Sequence, residues 1–205
     1  LIEVFKAHNI GYFFYNGGND SADTALKVSK ISKDLGYDLT CVAIPKTVDN
    51  DLVITDSCPG FGSAAKYIAT STLEGSLDVQ SMSETSTKVF ILEVMGRHAR
   101  WMAASSILAK RNNQNAPHII LLPEVAFNQK NFLAEVRKNV NSDGYCVVVV
   151  SEGVRNSRGK FLSETDTKDA FGHTQLGGVA PFIANLISSK LKYKNHWAVA
   201  DYLQR

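Results

Sequence analysis

Residues 45–51, PKTVDND, bring a cation, a hydroxyl and two carboxylates together within one short segment. Phosphoryl transfer needs such groups: a base for the acceptor hydroxyl, a carboxylate that reaches Mg²⁺, and a cation that offsets charge on the phosphoryl group. The first candidates for a reaction site are therefore Lys46, Thr47, Asp49 and Asp51. A solvated polar turn can have the same composition, so these residues need support from other loops.

A second candidate loop, residues 16–21 (NGGNDS), lies between a predicted strand and a predicted helix. Gly17 and Gly18 would let the main chain approach a ligand, and the amides at a helix start attract anions. The alternative is a tight strand-to-helix turn in which Asn19 or Asp20 caps the helix.

Three further loops offer charged or imidazole side chains. Arg97, in MGRHAR (95–100), lies at a predicted helix start, where the dipole favours an anion, so binding a phosphate would explain a cation there. An ordinary ion pair is the alternative. Glu124 follows HIILL and could either accept hydrogen bonds from sugar hydroxyls or cap a helix. His173, in GHTQLGG (172–178), indicates little by itself.

The elements that must hold these loops alternate between short apolar runs and segments of helical periodicity, which predicts an α/β fold with mostly parallel sheets flanked by helices. In such folds ligands collect at the carboxyl ends of strands, and every predicted strand is followed there by a polar turn, including SEGVR (151–155). The predicted strands are 10–15, 39–44, 88–94, 118–122 and 145–151, the last carrying the fully apolar run CVVVV. The predicted helices are 21–35, 60–73, 97–111, 131–140 and 176–191, and residues 194–205 are expected to start another.

The composition narrows the possible partners. Lys and Arg number 22 against 20 Asp and Glu, and the basic residues are scattered, so we expect no nucleic-acid surface. No apolar run approaches the roughly 18 residues that cross a bilayer, so we expect no membrane span. Cys41, Cys58 and Cys146 lack metal or CxxC spacing, which is typical of thiols in a cytoplasmic protein. The opening LIEVFKAHNI and the closing segment suggest a chain that is incomplete at both termini.

Taken together and in order, GGNDS, PKTVDND, MGRHA, PEVAF and GHTQLGG resemble the motif series of the phosphofructokinase family, over roughly residues 10–181. The resemblance implies a phosphofructokinase-like fold, Mg²⁺ as cofactor, and transfer of a phosphoryl group to the 1-hydroxyl of fructose 6-phosphate. It also implies homo-oligomers whose sites are shared between subunits. Residues 1–205 would then be a partial phosphofructokinase domain that lacks the N-terminal glycine-rich donor loop and the C-terminal end.

The resemblance assigns roles within the 45–51 segment. Asp49 matches the family's proton acceptor, Thr47 would lie beside it on the sugar phosphate, and Asp51 would lie near the metal. In this mechanism Asp49 deprotonates the sugar hydroxyl for an in-line attack while Mg²⁺ and Lys46 offset the charge.

The other matched motifs are assigned to the sugar phosphate. These residues are Met95, Gly96 and Arg97 in the phosphate-binding stretch, Glu124 as the acid that binds hydroxyls, and His173 as a further contact. Lys88 falls where many family members have an arginine that serves the neighbouring subunit's site.

The phosphoryl donor is predicted from two positions. The family resemblance gives glycine at both positions in ATP-dependent members. This chain has Asp20 and Lys46 there, as pyrophosphate-dependent members do. The Asp20 carboxylate would repel the nucleotide α-phosphate, and Lys46 would stabilise the departing phosphate of a shorter donor. The prediction is thus a reversible pyrophosphate-dependent enzyme of glycolysis and gluconeogenesis. The alternatives are an ATP-dependent 6-phosphofructokinase and a non-catalytic regulatory homologue.

Two residues depart from the family pattern. Asn19 replaces an aspartate that many relatives use for Mg²⁺, so the metal would depend on Asp20, Asp51, donor oxygens or water as well. Leu176 replaces an arginine that usually follows the GHxQ-like motif, which would remove part of the phosphate contact. These departures, with the expected loss of the donor loop, predict that the chain alone could fold and yet be inactive.

Overall fold

A computed structural model describes residues 1–110, 115–162 and 178–204. The chain divides into two compact units: Leu1–Thr47 with Leu52–Pro59, and Val48–Asp51 with Gly60–Arg205.

The first unit is built on two parallel strands and two helices. Its elements are α1 (Ile2–Ala7), β1 (Tyr12–Gly17), α2 (Asn19–Asp34) and β2 (Thr40–Pro45). The strands pair in register from Tyr12 opposite Thr40 to Gly17 opposite Pro45. A small core made by Ile2, Phe5, Val28 and Leu39 joins the helices to the strands. The register brings the carboxyl ends of both strands to one edge.

The second unit is a four-stranded parallel sheet with helices on both faces. Its elements are α3 (Phe61–Met82), β3 (Val89–Val94), α4 (Trp101–Ser105), β4 (Ile119–Leu121), α5 (Gln129–Asp143), β5 (Cys146–Ser151), α6 (Val179–Leu191) and β6 (Asn195–Val199), with short 3₁₀ helices at Ser106–Ala109 and Asp201–Gln204. The strand order is β4-β5-β3-β6, and all three pairings are parallel. The predicted α/β class with parallel sheets is therefore confirmed.

The two faces of this sheet bury alternate residues of the central strands. On one face Ile91, Val148 and Val150 pack against α5 and α6. On the other face Leu92 and Val149 pack against α3 and α4. All six residues of β5 are buried, as the run CVVVV predicted, because a central parallel strand has helices on both sides. Within the described ranges, no helix combines the length and apolarity that crossing a membrane requires.

The five predicted strands all occur, with ends shifted by up to two residues, but three other predictions are wrong. Helix α3 ends at Met82, nine residues beyond the predicted end at residue 73. Helix α4 begins at Trp101 rather than Arg97, because Gly96 and Arg97 have φ angles of 130° and 22°, which no α-helix contains. Residues 194–205 form β6 and a 3₁₀ turn instead of a helix start. Pairing with the edge of β3 decides this outcome, since periodicity cannot classify so short an apolar run. Helix α1 is not among the helices predicted from the sequence.

Candidate functional site

The carboxyl edge of the first unit brings the 16–21 loop to the residue that follows β2. The Lys46 amide donates to the Gly17 carbonyl at 2.9 Å, which extends the strand pairing by one residue. A Cβ built at Gly17 would lie 2.0 Å from the Ser21 hydroxyl oxygen, so only glycine fits while Ser21 keeps its place. The predicted donor residues Gly17, Gly18 and Lys46 therefore belong to one edge.

Asn19 and Asp20 are the first two residues of α2, and both are exposed. The helix is capped by Gly18 in an extended conformation, so the alternative in which Asn19 or Asp20 is the N-cap is wrong. A carboxylate in the first turn is stabilised by the helix dipole. Asp20 and the exposed Lys46 thus put opposite charges at the same sheet edge.

In the second unit, the Val48 side chain anchors the segment Val48–Asp51 to the hydrophobic core. This valine packs against the core cluster that contains Ile68 and Val94. The next residues differ in exposure: Asp49 is half-buried, Asn50 is buried and Asp51 is exposed. Asn50 has a φ of 58°, a left-handed conformation that asparagine tolerates better than most residues. The segment therefore holds one carboxylate partly shielded and the other open to water.

The turn that follows β3, residues 95–97, is held by main-chain amides. The Met95 amide donates to Gln204 Oε1, and the Arg97 amide donates to Glu152 Oε1, each at 3.3 Å. Neither Gln204 nor Glu152 had been assigned a role from the sequence. We call residues 95–97 the acceptor turn.

Glu152 directly follows the buried strand β5 and is half-buried. Burial raises the pKa of its carboxyl group, the nearby charge of Asp49 raises it further, and the amides of Arg97 and Gly96 oppose both effects. Glu152, Asp49 and the acceptor turn therefore lie together. The available signal was the position of Glu152 in SEGVR, a carboxylate immediately after a fully apolar strand.

Beside the acceptor turn, His98, Arg155 and Phe161 form a small cluster. Arg155 Nη2 lies 2.8 Å from His98 Nδ1, and the Arg155 guanidinium carbon lies 4.3 Å from the centre of the Phe161 ring. Burial lowers the pKa of His98, and the charges of Arg155 and Arg97 lower it further, against the opposing charge of Asp51. The contacts favour a neutral His98 imidazole that accepts a hydrogen bond from Arg155. This hydrogen bond keeps the positive charge of Arg155 next to the acceptor turn.

Glu124 is engaged by the residue that precedes α4. Its Oε1 atom accepts a hydrogen bond from the Arg100 amide at 3.0 Å and lies 3.2 Å from Arg100 Nε. Glu124 thus forms an ion pair and a hydrogen bond with the residue before α4, and the alternative of a helix-capping or surface role stays open. Binding of sugar hydroxyls by Glu124 stays a prediction.

Lys88 lies at the opposite end of β3 from the acceptor turn. Its amide donates to the Lys194 carbonyl at 2.9 Å, and its Nζ atom donates to the Ser83 carbonyl. The six residues of β3 span roughly 20 Å. Lys88 therefore cannot join the acceptor turn of its own chain, and service to a neighbouring subunit stays a prediction. His173 and Leu176 lie outside the described residues.

Glu93, on β3, is a buried carboxylate that holds the start of α6. Its Oε2 atom accepts a hydrogen bond from the Ala180 amide at 2.7 Å, and its side chain is 2% exposed. Burial raises the pKa of Glu93, and the charge of Glu152 adds to this, while the amides at the helix start lower it.

The raised pKa of Glu93 predicts a pH-dependent stability. The folded protein binds this proton more tightly, so the contribution is fully present below about pH 4.3 and is lost as the pH rises through the raised value. Glu93→Gln keeps an acceptor oxygen for Ala180 but does not titrate. We expect the wild type to lose unfolding free energy relative to Glu93→Gln as the pH rises, measured by denaturant unfolding from about pH 4.5 to about pH 8. Parallel curves for the two proteins would contradict this.

No group of three His, Cys, Asp or Glu side chains that could hold a metal ion occurs in the parts of the chain that the structure describes. Mg²⁺ commonly binds through one or two carboxylates, substrate phosphates and water rather than through an all-protein site. The predicted ligands Asn19, Asp20 and Asp51 are exposed and offer oxygen atoms, so their chemistry fits this mode of binding.

Comparison with known proteins identifies the family of this chain. The family profile described as Phosphofructokinase matches residues 1–204. The pyrophosphate–fructose 6-phosphate 1-phosphotransferases of Halomonas elongata and Methylococcus capsulatus are each 62% identical to this chain over 205 residues. These matches cover 100% of the chain and 49% of each relative, so the chain spans about half the length of the curated relatives it matches.

A solved structure supports the same comparison. The pyrophosphate-dependent phosphofructokinase of Marinobacter aquaeolei is 58% identical and superposes with a TM-score of 0.80, over 100% of this chain and 48% of that one.

Proposed function

Because this chain belongs to the phosphofructokinase family, we propose that the protein transfers a phosphoryl group from pyrophosphate to the 1-hydroxyl of fructose 6-phosphate, reversibly. The names of the relatives at 62% identity support this choice of donor and acceptor. The structural observation that carries the donor assignment is the edge of the first unit, where Lys46 is hydrogen-bonded to Gly17 and Asp20 opens the adjoining helix.

Asp49 is the catalytic base in this proposal. It takes the proton of the 1-hydroxyl as that oxygen attacks the nearer phosphorus of pyrophosphate in line. The new P–O bond forms as the bridging P–O bond breaks, and orthophosphate leaves with the electron pair. Lys46 stabilises the charge on the departing phosphate, and Thr47 contacts the sugar phosphate. Partial shielding of Asp49 from water suits a base that has to be held in one position.

Mg²⁺ is the proposed cofactor, and when bound it supplies charge neutralisation on the phosphate oxygens. Asp51, Asp20 and Asn19 are the residues of this chain that would hold it. Their oxygen atoms match its preference for hard ligands.

Fructose 6-phosphate is proposed to bind through the acceptor turn. Met95, Gly96 and Arg97 would bind its phosphate, Glu124 and His173 would contribute further contacts, and Lys88 would act in the site of a neighbouring subunit. The protein is accordingly proposed to be a homo-oligomer with shared sites. All three cysteines are thiols, which fits a cytoplasmic enzyme.

Donor profiling of the full-length protein tests the proposal against its alternatives. With fructose 6-phosphate as acceptor, we expect kcat/KM for pyrophosphate to exceed that for ATP by about 10² or more, because Asp20 repels the α-phosphate. Faster turnover with ATP would favour the ATP-dependent alternative. Binding of the sugar phosphate without turnover of either donor would favour a regulatory homologue.

A further inference from the structure

Arg155 lies in a short hairpin that follows β5, and its main chain is well held there. It pairs with Phe161 across the hairpin through an antiparallel bridge. The Asn156 amide donates to the Lys160 carbonyl at 2.8 Å, and the Phe127 amide donates to the Arg155 carbonyl, also at 2.8 Å. Contacts within the hairpin and from Phe127 therefore fix the main chain at Arg155.

The half-buried side chain of Arg155 is fixed as well, by two groups that carry no negative charge. Its Nη2 atom lies 2.8 Å from His98 Nδ1, and its guanidinium carbon lies 4.3 Å from the centre of the Phe161 ring. The His98 and Phe161 rings are themselves neighbours, with centres 5.8 Å apart. An imidazole and a phenyl ring can orient a guanidinium without neutralising it. Arg155 thus keeps its positive charge in a defined position.

A different arginine of the same region is neutralised by a carboxylate: Arg100 forms an ion pair with Glu124. Within the described residues, the guanidinium groups of Arg155 and Arg97 form no such pair. Both lie near one imidazole, since burial lowers the pKa of His98 and the charges of Arg155 and Arg97 lower it further. Two cations held close together repel each other, and an anion that binds both relieves this repulsion.

We propose that Arg155 is a second phosphate-binding arginine, which together with Arg97 binds the phosphate of fructose 6-phosphate. This rests on the proposed function, in which the acceptor turn binds that phosphate. A guanidinium has five N–H donors in one plane, so the donor that is directed to His98 leaves others for phosphate oxygens. His98 is a positioning residue in this arrangement, because it acts on the anion only through Arg155.

The experiment compares Arg155→Met, Arg155→Lys and the control Arg158→Met, which removes an exposed arginine of the same hairpin, in the full-length protein. We expect Arg155→Met to weaken fructose 6-phosphate binding about tenfold or more, measured by calorimetry and as KM, because charge-assisted hydrogen bonds are lost. Arg155→Lys keeps the charge without the planar group and should lose less. Arg158→Met should bind as the wild type does, and the KM for pyrophosphate should change less than about twofold in all three variants.

Salt dependence separates a loss of charge from a structural effect. We expect a rise in KCl from about 0.05 M to about 0.5 M to weaken sugar-phosphate binding more steeply in the wild type than in Arg155→Met, which lacks one screened contact. Equal salt dependence would overturn the proposal, and so would unchanged binding by Arg155→Met. If Arg155→Met does not fold, Arg155→Gln carries the same expectations, because it can donate to His98 and has no charge.

A double-mutant cycle tests whether His98 acts through Arg155. We expect His98→Leu to weaken fructose 6-phosphate binding, and His98→Gln, which retains an acceptor oxygen, to weaken it less. His98→Leu combined with Arg155→Met should bind no more weakly than Arg155→Met alone. Additive losses would overturn the role of His98.

The binding measurements separate this inference from the proposed function. Weaker sugar-phosphate binding by Arg155→Met, in a protein that does not transfer from pyrophosphate, would support the inference and refute the donor assignment. Transfer from pyrophosphate with unchanged sugar-phosphate binding in Arg155→Met would overturn the inference alone. No binding of fructose 6-phosphate by the wild type would overturn both.

Discussion

Asp49→Asn is expected to lower kcat for phosphorylation of fructose 6-phosphate by about 10³-fold, within the range measured for loss of a general base. The substitution preserves size and removes the group that accepts the hydroxyl proton. Because the base acts mainly in the transition state, the KM values for both substrates should change little. Steady-state rates of the full-length protein with pyrophosphate, at saturating sugar phosphate, provide the measurement.

The control for this prediction is Asp38→Asn, an exposed carboxylate in the first unit that has no assigned role. It should retain wild-type rates. If Asp49→Asn kept more than about a tenth of wild-type kcat, the assignment of Asp49 as the base would be wrong.

Lys46→Gly is expected to reduce turnover with pyrophosphate by about 10² or more, because a charge contact made to the departing phosphate is lost. Glycine is also the residue that the family resemblance gives for ATP-dependent members at this position. Lys192→Gly is a matched control: it removes an exposed lysine where φ is 61°, a conformation that glycine adopts readily. If Lys46→Gly kept wild-type rates, the assignment of Lys46 to the donor site would be wrong.

Combining Lys46→Gly with Asp20→Gly tests whether the Asp20 carboxylate excludes ATP as a donor. Removing the carboxylate should relieve repulsion of the nucleotide α-phosphate, so turnover with ATP should rise relative to Lys46→Gly alone. A double variant that uses neither donor would show that other residues exclude ATP.

The local features of this fold were predictable, because strands such as CVVVV carry their own signal. The departures occur where a distant element decides the outcome. The segment Asn195–Val199 forms β6 because it pairs with the edge of β3. Helix α4 starts at Trp101 because the acceptor turn takes positive φ angles. Neither pairing nor turn conformation can be obtained from periodicity.

In the candidate site, too, some residues were predictable from the sequence and others depend on distant contacts. Motifs indicated Asp49, Lys46 and Arg97, since the residue types themselves suggest the chemistry. They did not indicate Glu152 or Gln204, whose importance depends on which amides they meet after β3 pairs with β5 and β6. The role of Glu124 was equally ambiguous in sequence, and its contact with Arg100 became visible only in three dimensions.

The two side chains that hold the acceptor turn enter the chain at very different times during translation. Glu152 lies 55 residues after Arg97, whereas Gln204 lies 109 residues after Met95. A ribosome that adds about 5 to 20 residues per second would expose the turn for several seconds before its last partner emerged. The nascent chain therefore completes the acceptor turn late, and β6 has to dock on β3 before Gln204 can reach Met95.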